Sequence, residues 1–569
     1  MKNQEIAKIF YDIADILEIQ NIQWKPRAYR KAAQSIESLS EDLEYIYKTE
    51  GIKGLREIPG IGEALSKKII EYIQTNKIKE YEKLKKQIPK HLSELIEIQS
   101  LGPKRTGILY KKLKIKSPKE LEKAIRQHKI SKLKTFGIKS EENILKGLKL
   151  FKKGKERTLL GIALPLSKQI ESKLKTLNQV DQVITAGSIR RRKETIKDID
   201  ILITVKTKNT KPIMDFFTSM PEVSRILAKG NTKSTVILKN NMQVDVRIID
   251  NSRFGSALQY FTGSKEHSIL LRKIAIKNNL KLSEYGLFKN NKLIASKTEK
   301  DIYNKLVMHY IEPELRENTG EIQASFKNQL PKLINLKDIK GDLHIHTNYS
   351  DGNNSIKEIA NAAKKLNYKY ICISDHSKGI KIANGLSEKL LKKQWKEIDS
   401  IKTEIKILKS IELNIKSDGT LDYKNSILKN FDFVTAAVHS SFKLSKEKQT
   451  KRIIKAMENP YVQMICHPTG RLIHQRDPYE IDLEKIFDKA KETNTILEIN
   501  SSPDRLDLND INIKEAVNKK VKLGIGTDAH NLEQLKFIEF GLSQAKRGWA
   551  EKHNIVNSLE WKDLINIKK

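Results

Sequence analysis

Only two of the 569 residues are cysteines, Cys372 and Cys466, and both sit inside apolar runs that read as strands. Two such thiols cannot make a disulfide framework, so a reducing, cytoplasmic setting is expected. No apolar run approaches the roughly 20 residues that a membrane-spanning helix needs, and no membrane partner is expected. The opening MKNQEIAKIFYDIADIL alternates charged and apolar residues at helical spacing, which predicts a helix rather than an export signal. Acid is also in short supply. Against 107 Lys and Arg stand 70 Asp and Glu, a net +37, and that excess points to a polyanion, nucleic acid first, as partner. Lys, Ile and Asn are plentiful throughout, as an A+T-rich genome would also produce, so charge alone does not decide the matter.

The chain is too long for one hydrophobic core, and its patterning changes along its length. Residues 1–155 read as short amphipathic helices punctuated by glycine; Ile- and Val-rich strands such as DIDILITV begin after 156. A helical stretch is expected over 253–316, a polar linker over 318–337, and a new domain from 338. Within the first part, LREIPGIGEALSKKI (55–69) and LIEIQSLGPKRTGIL (95–109) form a weak repeat, dividing it at residues 88 and 89. Gly60, Gly62 and Gly102 can take positive φ, and the helix N-termini that follow present free amides to phosphate. That is a helix-hairpin-helix, which grips DNA backbone without reading bases. Ser100 stands where the first hairpin has Gly60, and a third candidate at 133–145 keeps a single glycine.

The segment QVITAGSIRRRKETIKDIDILITV carries a first catalytic constellation. A strand ends at Gly187, a basic turn runs through Arg190–Arg192, and the next strand bears Asp198 and Asp200 on one face. With Asp245 in QVDVRII, three carboxylates on adjacent strands suit two Mg²⁺ (or Mn²⁺) ions, and Ser188 and Arg191 are placed to hold a phosphate tail. D-x-D alone is more often an exposed strand; the Gly-Ser and arginine run beside it reverse that preference.

GSIRRRKETIKDID resembles the nucleotidyltransferase signature of the DNA polymerase X family, to which polymerase beta belongs. QVDVR then resembles the strand with the third metal ligand, and YFTGSKEHSILLR (260–272) the thumb segment. The resemblance implies that Tyr260 and Phe261 line the sugar and base of a dNTP and that Gly263 allows close approach. It also implies that Arg247 orients the acids and that Arg272 faces the template minor groove, while Ser268 replaces the usual Asn. AYRKAA (28–33) and IPGIGEALSKKI resemble the family's small lyase domain, with Lys68 at the Schiff-base position and Lys25 and Lys31 at phosphate-binding positions. Ala64 and Trp24 depart from the family there, so 5′-phosphate gripping is expected in place of lyase chemistry.

Beyond 340, seven short apolar strands alternate with helices: DLHIHT, YICISDH, KILKSIEL, FVTAAVH, VQMICH, TILEIN and KLGIGTDAH. All but TILEIN carry a candidate metal ligand at or near the end, which is how a β/α barrel gathers its site. The candidates are His344, His346, Asp351, His376, Glu412, His439, His467, Asp528 and His530. Mixed imidazole and carboxylate donors suit Zn²⁺, Mn²⁺ or Fe²⁺, and clustered ions make hydroxide available for attack on a phosphoester. GDLHIHTNYSDG, SDHS, AAVHS, CHPTGR and GTDAH resemble the motifs of the polymerase and histidinol phosphatase (PHP) domain. This implies a distorted seven-stranded barrel holding two to three such ions at all nine positions.

The expected architecture is multi-domain α and β. It comprises a helix-hairpin-helix region (1–88 and 89–155), a nucleotidyltransferase palm (156–252), a thumb (253–317) and a PHP barrel (338–569). The expected function is DNA-directed synthesis at short gaps in repair, on gapped or nicked DNA with dNTPs, plus 3′-end processing by the barrel. A monomer associated with the nucleoid is expected. Two alternatives are a DNA-binding scaffold in which only the barrel is active, and a barrel that acts as a small-molecule phosphatase.

Overall fold

The computed structural model describes residues 2–567 apart from 38, 40–42, 90, 91 and 99. The described chain divides into two compact units, Met1–Lys155 with Gly352–Asn354 and Leu472–Asp477, and the remainder. Among the described residues no helix is long and apolar enough to cross a membrane.

The first unit holds two helical cores, one built from Ile6 to Leu84 and one from Leu92 to Phe151 together with Ile19. Both hairpins form. Gly60 takes φ +86 and precedes the helix Glu63–Thr75; Gly102 takes φ +50 and caps the helix Pro103–Leu113. Ser100 adopts the left-handed conformation in place of glycine, at φ +73. Gly62 departs from expectation: it is extended, φ −87, because it serves as the N-cap of its helix.

In the second unit a five-stranded sheet begins with Val180–Thr185 antiparallel to Asp198–Val205, which runs parallel to Gln243–Ile249. Lys233–Leu238 and Val223–Lys229 follow, each antiparallel to its neighbour. Ile199, Ile201 and Ile203 are fully buried on the face opposite the acids. A single helical turn, Gly187–Arg190, leads into the basic turn through Arg191 and Arg192.

Residues 253–316 are not helical throughout. A three-stranded antiparallel sheet, Lys281–Ser283, Gly286–Lys289 and Lys292–Ala295, interrupts them. Asn290 and Asn291 both take positive φ in its second turn, the demand of a tight two-residue hairpin. The segment expected as a linker is ordered by the helix Glu321–Phe326, whose buried Glu321 accepts a hydrogen bond at 2.7 Å from Nδ1 of the equally buried His267.

Seven parallel strands follow in sequential order: Gly341–Ile345, Tyr370–Ile373, Lys406–Asn414, Phe433–Ala437, Val462–Ile465, Ile496–Asn500 and Leu523–Gly526. They form a nearly closed barrel. Its last and first strands meet through Asp528 N–H donating to the His344 carbonyl (2.8 Å) and His346 N–H donating to the Ala529 carbonyl (2.9 Å). Closure therefore runs through the backbone of candidate ligands.

Candidate functional site

Asp198 and Asp200 lie on one strand, and Asp200 pairs directly across the parallel ladder with Asp245. Asp198 and Asp200 line one cleft with the Gly187 turn. Gly187 takes φ +60, and a Cβ there would stand 2.6 Å from Asp200 Oδ2, so only glycine lets the turn approach the carboxylate. Burial, then the charges of Asp198 and Asp245, push the Asp200 carboxyl up to about 6. Asp245 accepts from Thr235 Oγ1 (2.6 Å) and Gln243 Nε2 (2.7 Å). Crowded acids of this kind fit divalent cations, whose charge would relieve the mutual repulsion.

A cleft of roughly 430 Å³ opens beside them, lined by Gly187, Ser188, Arg191, Asp198, Asp200, Tyr260, Phe261, Gly263, Ser268 and Arg272 among others. Tyr260 and Phe261 meet edge to face at 5.1 Å, and the Arg247 guanidinium lies 4.6 Å over the Phe261 ring. Arg272 Nε donates to the Ser268 carbonyl at 3.3 Å. Behind the cleft Arg190 makes a two-pronged pair with Glu299 (2.9 and 2.6 Å), which also accepts from Arg316 at 2.6 Å. Although burial opposes it, Arg316 and Arg190 hold the Glu299 carboxyl down at about 2.

The barrel brings all nine of its candidates together. His346, Asp351, His376 and His530 form one group of potential ligand atoms; His344, His346 and Asp528 a second; His376, Glu412 and His439 a third. His467 joins through Glu412, its Nε2 2.9 Å from Oε1. Glu412 is the hub, 1% exposed, also within 3.2 Å of His439 and 3.7 Å of His344. Ring nitrogens of His346, His439 and His467 are buried without hydrogen-bond partners, and His376 Nδ1 and Glu412 Oε2 stand 2.8 Å apart. Buried ring nitrogens left without partners around a buried carboxylate fit a set of metal ligands. Burial, then the neighbouring His530 and His376, lowers His346 to about 3, whereas Glu412 and Asp351 overcome burial to raise His376 to about 10.

Several contributors escaped sequence reasoning. The strand without a ligand, Ile496–Asn500, supplies Glu498, which is fully buried and accepts from His344 Nδ1 at 2.7 Å. Its other oxygen accepts the His467 N–H (2.6 Å) and Asn500 Nδ2 (3.2 Å), and Asn500 Nδ2 also reaches Asp528 at 3.1 Å. Fully buried Asp375 holds the loop before Asp351, accepting from Thr347 N–H and Oγ1 and from Ser350. Arg505 Nε lies 3.5 Å from Asp528, and Cys466 groups with His344 and Glu412. A signal existed only for Glu498: an acid amid an apolar strand is rarely buried unless paired.

In the helical unit, Lys25 and Lys31 lie on the helix Lys25–Glu37, and a Cβ on Gly60 would stand 2.9 Å from Lys31 Cγ. Lys68 Nζ pairs with Glu80 at 2.8 Å, and Tyr29 OH donates to the same carboxylate. Trp24 is 76% exposed.

Four stretches of the chain match known domains. Residues 1–78 match a helix-hairpin-helix domain, 92–150 a SAM-like helix-hairpin-helix tandem, 257–317 the DNA polymerase beta thumb and 342–502 the PHP domain. A probable phosphatase of Thermoanaerobacter sp. (strain X514) is 36% identical over 240 residues, 40% of this chain and 92% of that protein. The DNA polymerase/3′-5′ exonuclease PolX of Bacillus subtilis (strain 168) is 37% identical over 572 residues, 99% of each chain. With the thumb and PHP domains matched in one chain and a relative aligned end to end, the protein belongs to the PolX family of DNA polymerase/3′-5′ exonucleases.

Proposed function

We propose that the chain is a DNA-directed DNA polymerase that fills short gaps during repair, and that its barrel is a 3′-5′ exonuclease acting on the same class of DNA end. The observation that carries the reading is the pairing of Asp200 with Asp245 across the ladder, with Asp198 beside them and the Gly187–Arg191 turn opposite. Asp198, Asp200 and Asp245 would hold two Mg²⁺ or Mn²⁺ ions, which supply charge neutralisation and an acidified primer hydroxyl when bound. Ser188 and Arg191 take the β- and γ-phosphates, Tyr260 and Phe261 pack on the sugar and base, and Gly263 lets the backbone come close. Arg247, stacked on Phe261, orients the acids, and Arg272 faces the template minor groove. The primer 3′-oxygen attacks the α-phosphate, the bond to the β-phosphate oxygen breaks, and pyrophosphate leaves.

In the barrel the nine ligands would hold two or three Mn²⁺, Zn²⁺ or Fe²⁺ ions, which supply hydroxide near neutral pH when bound. Glu498 fixes the His344 ring by accepting the hydrogen bond of its Nδ1–H, so that Nε2 faces the ions. Arg505 offers the donors not spent on Asp528 to a phosphate oxygen. Water adds to the terminal phosphodiester and a nucleoside monophosphate leaves. Gly60, Gly102, Lys25, Lys31 and Lys68 grip backbone phosphate, with Gly62 opening its helix.

The similarity to a probable phosphatase favours a second reading of the barrel, removal of phosphomonoesters. Incorporation of one labelled dNMP into a one-nucleotide gap tests the first reading, and absence of incorporation with both Mg²⁺ and Mn²⁺ sinks it. Release of phosphate from 3′-phosphorylated DNA, compared with histidinol phosphate, separates end processing from small-molecule hydrolysis.

A further inference from the structure

The basic turn after Ser188 is gripped from behind by the barrel domain. Arg547, at the end of the helix Ile538–Arg547, donates from Nη1 to the Arg191 carbonyl at 2.6 Å and to Glu317 Oε1 at 3.1 Å. The same Glu317 oxygen accepts Arg191 Nε at 2.9 Å. One carboxylate oxygen is thus shared between a guanidinium that lines the nucleotide cleft and one rooted in the barrel. The other prong of Arg547 closes on Asp510, and its side chain is only 2% exposed. The next residue, Arg192, takes φ +57, a backbone region that L residues rarely adopt, and its carbonyl accepts from Gln544 Nε2 at 3.3 Å. Glu194 completes the set by pairing with Arg471 at 2.7 Å.

These contacts divide the labour of Arg191. Nε is spent on Glu317 and one Nη1 proton on the Thr262 carbonyl, leaving the rest of the planar fork for an anion in the cleft. Glu317 also lies 3.8 Å from Lys193, so Arg547 and Lys193 take up part of its negative charge. Without Arg547, Glu317 would lose the guanidinium that anchors it and the Arg191 carbonyl would lose its donor. Both changes weaken a site built for polyphosphate.

We infer that Arg547 is a positioning residue of the polymerase: the barrel completes the nucleotide site by fixing Arg191 through Glu317 and the Arg191 carbonyl. The inference rests on the reading of Arg191 as a ligand of the dNTP phosphates. Lysine at 547 keeps the buried charge but cannot serve the carbonyl, Glu317 and Asp510 together.

The test is steady-state extension of one-nucleotide-gap DNA by full-length Arg547→Lys and Glu317→Gln, with Arg191→Lys as benchmark and exonuclease shortening read on the same preparations. Expected is a KM for dNTP raised about three- to tenfold in both variants, with kcat within about twofold of wild type, as when ground and transition states are weakened equally. The double variant should cost less than the product of the singles, and exonuclease activity should hold. A wild-type KM in either variant overturns the inference, as does a parallel decline of extension and exonuclease. If Arg191→Lys raises KM while the other two do not, this inference alone fails; if Arg191→Lys leaves KM unchanged, the reading of Arg191 fails and takes the inference with it.

Discussion

The two sites solve the problem of holding cations in opposite ways. In the palm, three carboxylates come from two neighbouring strands, Asp198 and Asp200 line an open cleft with Asp245 across the ladder, and their mutual repulsion is left for ions to relieve. In the barrel, nine candidate ligands come from six strands and the segments that follow them, spanning residues 344–530, and most are buried. There carboxylates and imidazoles already neutralise one another: Glu412 is held well below its usual range despite its burial, by His439 and His376. An open site of like charges can exchange ions along with each nucleotide. A buried, compensated site is suited to keep its ions between turnovers.

The sharpest way to break this comparison is to remove one hub from each site. Glu412→Gln should cut exonuclease activity by about a thousandfold or more and leave extension intact, and Asp245→Asn should do the reverse, since each hub ligand is worth several kcal/mol of charge stabilisation. Extension and shortening of a labelled primer read both. If either substitution silences both activities, the sites are not separate.

A smaller effect is expected one layer out. Glu498→Gln removes the acceptor that orients His344. Metal content after dialysis against graded chelator should reveal an affinity lower by about 10- to 100-fold in the barrel. Unchanged retention would mean that the ring is fixed by packing alone.

The smallest effect concerns protons. Because the Asp200 carboxyl rises from 3.8 to about 6 on folding, the ion-free folded chain binds more protons than the unfolded one between those values. Its contribution to stability is therefore lost as pH rises through that window. Asp200→Asn should raise the melting temperature of the ion-free protein at pH 7.5 by a few degrees, on the order of 2–4 °C. Extension at limiting Mg²⁺ should also fall below about pH 6, where a proton competes for the ligand. A melting temperature unchanged or lowered by Asp200→Asn would show that repulsion is not what the open site stores.

Much of both sites was legible in the sequence because their chemistry is written at short range. Strand alternation alone put Asp198 and Asp200 on one face, and six of the seven barrel strands display a ligand at or near their ends. What was not legible depends on register and on burial. Nothing in QVDVRII says that Asp245 lies opposite Asp200 and not Asp198. Glu498 hid inside TILEIN, and nothing around Arg471 and Arg547 in the sequence points to the turn they hold. The thumb's small sheet was missed because its strands are only three or four residues long, too short to show a period, although the Asn290–Asn291 pair was a usable turn signal.

The most direct test of two independent sites in one chain is a single gel of a 5′-labelled one-nucleotide-gap duplex, with and without dNTPs, for wild type, Asp198→Ala and His344→Ala. The account predicts that Asp198→Ala abolishes extension alone and His344→Ala abolishes 3′ shortening alone. Wild type lacking either activity, or an activity indifferent to its own substitution, would contradict it.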